Sequence, residues 1–537
     1  MKKRIKTKWL GLALTGVTLL GTACSNGANS GNNTPANNGT ADTAAPEKPM
    51  DISITLNGGP KTPNSWSEKT LEEQLTDKLG RQVTVDPIFL PASEVDTKIN
   101  LLMSAKNTRP NILWTGDTKE YSKWVQAGII QDLTPSLQKY GKEIIDYYSK
   151  DTLFYHWDSS GKLYQIPGDV AEAGTMTTII RKDWLDKLGL QVPKTLDEFV
   201  QVLRAFTNDD PDGNGKKDTY GLSGDYYFRS LAPFFYAYGV DPDAFIKQDD
   251  GSIKYGATMP QVKTVLQQIA QLYGEGVIDP RMASAANITN EKVDEIYASG
   301  KVGAFYRWVA YFNPSGNAAI NFKQNNPGGE YMAIDPVAGP DGFKSDIPSA
   351  PRGWCYLVVT DAGSADEAVQ VLNVIASPEV NSLLRFGKEG EHYTMDNGVY
   401  NRKVTPDEAN KLGLDNFSWV ITRKDASNLS NTPEVTKLFE YKEKTSQPMR
   451  DKIAVFKATN RPQWDKYSTD IQKARDETFW GIITGKLGID AFDKFVDQYQ
   501  KLGGKAVDEE ANALYSAQEE EYAKYDEWYE ENIIPYK

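Results

Sequence analysis

Histidine and cysteine are almost missing from this sequence, with His156, His392, Cys24 and Cys355 the whole supply among 537 residues. Chemistry built on imidazole or thiolate has little to work with. There is no HExxH, no GxSxG, no Walker A loop and no GxGxxG after a strand, which removes the usual metalloprotease, serine-hydrolase, P-loop and dinucleotide readings. Positive charge is also scarce: 60 Lys and Arg stand against 73 Asp and Glu, for a net charge of −13. Such a balance argues against nucleic acid and against a polybasic membrane patch. Internal repeats are absent. Most of the acidic residues are solvated surface, and a glycosidase pair depends on a spatial separation that spacing along the chain does not give.

No apolar run reaches the roughly 20 residues of a membrane span. The longest near the start, Trp9 to Leu20, follows Lys2, Lys3, Arg4, Lys6 and Lys8 and ends in Gly21-Thr22-Ala23-Cys24, the layout of an export signal. A signal that stops at a Cys after small residues resembles a bacterial lipobox. The resemblance implies removal of residues 1–23, lipidation of Cys24 and membrane attachment through that lipid. Cys355, inside GWCYLVV, then reads as a small buried apolar residue. Residues 24–50 are small and polar, cannot bury enough surface to fold, and form a flexible tether with a reach of about 25–30 Å.

What remains is longer than one core usually serves, so two lobes are expected. Strand-like and helical runs alternate at its start: ISITL then 71–79, VTVDPIFL then 95–105, NILWTG then 121–127. This is the rhythm of an α/β fold with a parallel sheet. Helices are also expected over 261–273, over 364–376 behind a capping box of Ser364 and Glu367, and through most of 432–518. Aromatic residues are plentiful, with 12 Trp, 28 Tyr and 19 Phe. A surplus of Trp and Tyr suits a cleft that stacks sugar rings, whose C–H faces are apolar and whose rims need hydrogen bonds.

The most specific stretch is 194–222. Thr195 and Glu198 form a capping box, and Leu196, Phe199, Val200, Leu203 and Phe206 recur at helical spacing, giving a helix that ends before Asn208. Asp210, Asp212, Asn214, Gly215, Lys216 and Asp218 then occupy positions 1, 3, 5, 6, 7 and 9 of an EF-hand-type loop. Alternate oxygens turn inward, Gly215 permits the bend, and Lys216 offers its carbonyl. Position 12 is Gly221 rather than Glu, so the expectation is a structural calcium ion with a completed shell from elsewhere. The competing reading is a solvated Asx-turn loop.

Four stretches carry a wider resemblance: GKLYQIP (161–167), the segment from IIRKDW to DTYGL (179–222), FGKEGEHY (386–393) and ITGKLGIDAFDKFVDQYQKLGG (483–504). On these the chain resembles the family 1 extracellular solute-binding lipoproteins of bacterial ABC importers, particularly the large oligosaccharide-type members with a calcium loop. The resemblance implies a two-lobed α/β fold of the periplasmic-binding-protein type (type II), with a hinge and an interlobe ligand cleft. It places the first lobe at 51–176 and 336–430, and the second at 177–335 and 431–537 with the calcium loop at 210–218. The calcium ligands carried over are Asp210, Asp212, Asn214, Lys216 and Asp218. For the ligand it suggests Trp114 and Asp117 in NILWTGD, Glu172 near the first crossing, and Trp308 with Arg307 in AFYRWV. Trp66 and Trp354 join them by position, the latter beside Arg352.

The implied function is a non-enzymatic, lipid-anchored monomer on the extracellular face of the cell membrane. It would capture an oligosaccharide by hinge closure and deliver it to the permease subunits of an ABC transporter. A surface-anchored polysaccharide hydrolase or lyase, or a sugar sensor partnering a membrane kinase, are the alternatives. The acidic balance argues against a polyanionic sugar unless a local cluster such as Arg307 and Arg352 reverses it.

Overall fold

Alternating apolar residues make the first strand: Met50, Ile52, Ile54 and Leu56 of β1 (Met50–Asn57) are buried. Helix α1 (Trp66–Leu79) follows, capped by the Ser65 side chain on the Glu68 N–H and stopped at left-handed Gly80 (φ 69°). Then come β2 (Val83–Leu90), α2 (Val95–Met103), β3 (Ile112–Thr115) and α3 (Tyr121–Gln126), the expected alternation. The computed structural model describes residues 48–58, 62–91, 94–116, 120–168, 176–284, 290–348, 355–396, 399–425, 429–457 and 461–537. The export signal, Cys24 and nearly all of the tether lie outside the described residues.

Two sheets organise the fold. In the first, the order is β2-β1-β3-β9-β4, where β4 is Ile166–Pro167 and β9 is Tyr356–Val359. Strands β1, β2 and β3 are parallel, whereas β9 runs antiparallel to both β3 and β4. The second sheet has the order β8-β5-β7-β6, with β5 Met176–Arg181, β6 Tyr220–Leu222, β7 Val302–Trp308 and β8 Tyr331–Ile334. Helix α4 (Leu196–Asn208) leads to β6; its capping box is present on both sides, and it runs through Asn208, one residue beyond the expected end.

Each sheet has its own apolar core. The first gathers residues between Met50 and Ile166 and between Cys355 and Ile421; the second gathers residues between Met176 and Val337 and between Met449 and Ala511. Cys355 is buried in the first core, as a small apolar residue would be. The division differs from the expected one in two places. Val337 is in the second core and Phe343 and Ile347 pack against it, because the return to the first sheet begins only at Tyr356. The last long helix, α5 (Lys505–Asn532), starts in the second core with Val507 and Ala511 and finishes in the first with Tyr525 and Tyr529.

Strand register fixes where the lobes meet. Thr115, Pro167 and Tyr356 lie side by side at the C-terminal end of β3, and Met176 pairs with Trp308 at the end of β7. Ile334 pairs with Thr178 near that same end. The chain therefore leaves the first sheet at Pro167, enters the second at Met176, and returns from beyond Ile334 to Tyr356. The crossings thus join the C-terminal end of β3 to the Trp308 end of the second sheet, and in open α/β sheets a ligand usually sits beyond such strand ends.

Candidate functional site

The first-lobe wall is aromatic. Half-buried Trp66 opens α1, the first helix after β1, and its ring meets that of His392 edge-on with centroids 4.7 Å apart. His392 is buried and its Nδ1 accepts the N–H of Lys388 at 2.9 Å, so the 386–393 stretch is fixed beside Trp66. Residues 413–422 complete this wall. Gly413 closes against Ser65, and the Thr422 N–H donates to the Gly168 carbonyl at 2.8 Å, beside the crossing. Between them Trp419 is 40% exposed, held by its Nε1–H on Asp415 Oδ2 (2.9 Å), with the Arg385 guanidinium 5.5 Å from its ring.

The second-lobe wall is polar beneath and aromatic on top. Strand β7 is buried from Val302 to Arg307 and only its last residue, Trp308, emerges. The Arg307 guanidinium lies 4.1 Å from the Trp308 ring and donates to Asp225 Oδ2 (3.2 Å) and to the Tyr311 hydroxyl (3.0 and 3.2 Å). Burial raises the Tyr311 pKa, with Arg307 pulling it back, so the hydroxyl stays protonated and donates to Asp294. Asp225 sits three residues beyond β6, and its carboxylate also holds Arg229 at 2.7 Å. Arg229 rests on Tyr227, whose side chain is 48% exposed, and lies 5.6 Å from Trp308. Tyr441 adds a further exposed ring near the second crossing, its hydroxyl donating to Asp335 Oδ1 at 2.8 Å.

The acidic loop after α4 folds as a tight turn with three left-handed residues, Asp210, Gly213 and Gly215 (φ 48°, 73° and 74°). Asp210 accepts the N–H groups of Asn214 and Gly215 at 3.1 and 3.0 Å, and these bonds, Gly215 first, lower its pKa. The Asn214 side-chain amide bridges Asp212 and Asp218 at 2.9 and 3.1 Å, and Lys301 Nζ bridges the same two at 2.6 and 3.0 Å. Among the described residues no three acidic, His or Cys side chains are grouped to hold a metal ion. The donor set is nonetheless all hard oxygen, and an ammonium stands where the carboxylates demand a cation, so the residues fit calcium in charge and chemistry. At Gly221, position 12, an added Cβ would fall 2.4 Å from the Leu203 carbonyl; no side chain can serve as a ligand there.

The model of the bacterial extracellular solute-binding protein family matches residues 60–382, more than half of the chain. The chain belongs to that family. Lipoprotein LipO of Bacillus subtilis is 26% identical to this solute-binding protein over 553 residues, covering 96% of this chain and all of LipO. Among solved structures, calcium-free alginate-binding protein AlgQ2 superposes with a TM-score of 0.69 at 17% identity, covering 88% of this chain and 98% of its own. The EF-hand mutant of the Streptococcus pneumoniae ABC-transporter substrate-binding protein FusA, in complex with fructo-nystose, gives 0.61 at 20% identity, covering 87% and 99%. The two-lobed fold is therefore shared. The family is one of solute-binding proteins, and FusA is named as the substrate-binding protein of a fructooligosaccharide ABC transporter; neither is described as an enzyme. Among the described residues no helix is long and apolar enough to cross a membrane.

Of the residues expected to contact ligand in this solute-binding protein, Trp66 opens α1 in the first lobe and Trp308 ends β7 in the second, both partly exposed. Asp117, Glu172 and Trp354 lie outside the described residues, as does Arg352. Trp114 and Arg307 need correction. Trp114 is 5% exposed because β3 runs between β1 and β9 with all four of its residues buried, so it packs the core and offers no stacking face. Arg307 is wholly buried and acts behind Trp308, not at the surface. Sequence reasoning missed Tyr227, Arg229, Trp419 and Tyr441. The signal for the first two was their place in DYYFRS, just past the 194–222 stretch; Trp419 and Tyr441 had none.

Proposed function

We propose that this solute-binding protein captures an oligosaccharide between its lobes by hinge closure and passes it to an ABC permease. We further propose that a lipid on Cys24 holds it to the outer face of the cell membrane as a monomer. What supports the ligand class is the set of partly exposed aromatic faces that each lobe carries, Trp66 and Trp419 in the first and Trp308 and Tyr227 in the second. A sugar ring stacked on one face meets the other only when the lobes approach, so ligand favours the closed state. The named ligands of AlgQ2 and FusA support a saccharide. The name of LipO supports the anchor.

Calcium belongs to the same proposal. Asp210, Asp212, Asn214, the Lys216 carbonyl and Asp218 would hold it, with Asn214 turning its oxygen inward and Lys301 yielding its place. The ion would neutralise the loop and stabilise the second lobe by mass action.

Thermal unfolding of residues 50–537 against a panel of plant and microbial oligosaccharides, with and without calcium, followed by analysis of the sugars, tests both parts. We expect a rise in Tm with one saccharide class and no new sugar products. A separate rise with calcium should be absent in Asp212→Ala. Sugar cleavage, or no response to any saccharide, would sink the transport reading; a calcium response that survives in Asp212→Ala would move the ion elsewhere.

A further inference from the structure

The overall acidity of the chain repels anions, yet one guanidinium edge is left open beside Trp308. Arg229 uses Nε and Nη2 on a single oxygen of Asp225, at 3.2 and 2.7 Å. Its Nη1 has no hydrogen-bond acceptor among the described residues, and one third of the side chain is exposed (33%). Its plane is held by Tyr227 on one side, 4.8 Å from the ring centroid, and by Trp308 at 5.6 Å.

Asp225 itself has nothing left for a ligand. It is buried; Oδ2 also takes Arg307 Nη1 at 3.2 Å, while Oδ1 takes the Ser230 hydroxyl at 2.7 Å and the Tyr227 N–H at 3.1 Å. Its role is to aim two guanidinium groups at the end of β7, of which only that of Arg229 reaches the surface. The first lobe carries a similar pair, Arg385 with its guanidinium 5.5 Å from the Trp419 ring, and Arg385 Nη1 is buried with no partner. Neutral sugar hydroxyls are served equally well by amides and carboxylates. A pre-oriented, permanently charged fork beside a stacking ring matches a carboxylate on the sugar.

We infer that the cleft takes a carboxylated saccharide and that Arg229 is the residue that selects for the carboxylate. This rests on the cleft being an oligosaccharide site. The test is calorimetric titration of the protein with oligogalacturonates, oligomannuronates and glucuronoxylan fragments, each beside its neutral methyl ester, and with neutral fructan and xylan oligomers. We expect one acid oligosaccharide to bind about 10- to 100-fold more tightly than its ester, with the preference shrinking as salt rises. Arg229→Gln should lose most of that ratio while still binding the ester, and Arg229→Lys should regain part of it. Asp225 keeps Arg307, Ser230 and the Tyr227 N–H in both variants, so the fold should persist, which thermal unfolding checks. Equal affinity for acid and ester, an unchanged ratio in Arg229→Gln, or binding of neutral oligomers alone would overturn the assignment and leave the saccharide reading standing. Binding of no saccharide would remove both.

Discussion

The two lobes handle charge in opposite ways. In the first, ion pairs sit at the margin of the core: Arg81 with Glu367 and Arg109 with Asp361 are all partly exposed. In the second, charges go fully inside. Arg307 and Asp225 are 0% and 1% exposed, and Lys442 and Asp346 are 1% each, with Nζ 3.1 Å from Oδ2. A buried charge persists only if its partners are placed well, so its geometry is set before any ligand arrives. The second wall is thus a rigid frame under Trp308 and Arg229, whereas Trp66 and Trp419 in the first are held by a ring edge and a rim hydrogen bond. The lobe to which the proposal gives the reading of the ligand's chemistry is the one with a buried polar interior.

That contrast can be broken experimentally. The largest effect is expected at Lys442, which also donates to the Ile334 carbonyl at 2.6 Å. Lys442→Met strands Asp346 and should cost about 3–5 kcal/mol in urea unfolding. Arg81→Met in the first lobe should cost about 1 kcal/mol or less. Equal losses would erase the distinction.

Next comes pH. Burial, and then the neighbouring Asp243, push the Asp241 carboxyl up from 3.8 to about 6, although the Tyr236 hydroxyl donates to it. The native state therefore binds this proton more tightly than the unfolded chain. Its stabilising contribution is full below about pH 4, falls as pH rises through 6 and is flat above. The stability of wild type relative to Asp241→Asn should drop by about 2–3 kcal/mol between pH 4 and 6.5, read from unfolding curves at each pH. A flat difference would show that the site is wetter than it is drawn.

The smallest effects, and the sharpest for the walls, are on binding. Trp308→Ala should weaken saccharide affinity about 30-fold and Trp419→Ala about fivefold, because the second platform is pre-oriented and the first is not. The reverse order, measured by calorimetry, would put the frame on the wrong side.

Much of the fold was legible because it rests on local periodicity. The alternation in β1 and the capping box of α4 depend on neighbours a few residues away, and both appear in the structure. The site was legible only to the segment. AFYRWV named the right strand, but whether Arg307 or Trp308 meets solvent depends on β5 and β6 flanking β7, contacts made across more than 80 residues. Trp114 failed for the same reason on the other side. Ser364 does cap Glu367 N–H, but the Glu367 carboxylate turns instead to Arg81, 286 residues away. Arg229 needed both kinds of information: its place after β6 was local, while its stacking on Trp308 was not.

The last helix has a topological consequence. Because α5 begins in the second core and Tyr525, Tyr529 and Ile533 lie in the first, the described residues from Met50 to Ile533 start and finish in the same core. The second lobe is a guest, inserted into a host that owns both chain ends. The helix itself, 28 residues and about 42 Å long, ties the guest to the host by one continuous rod with a foot in each core.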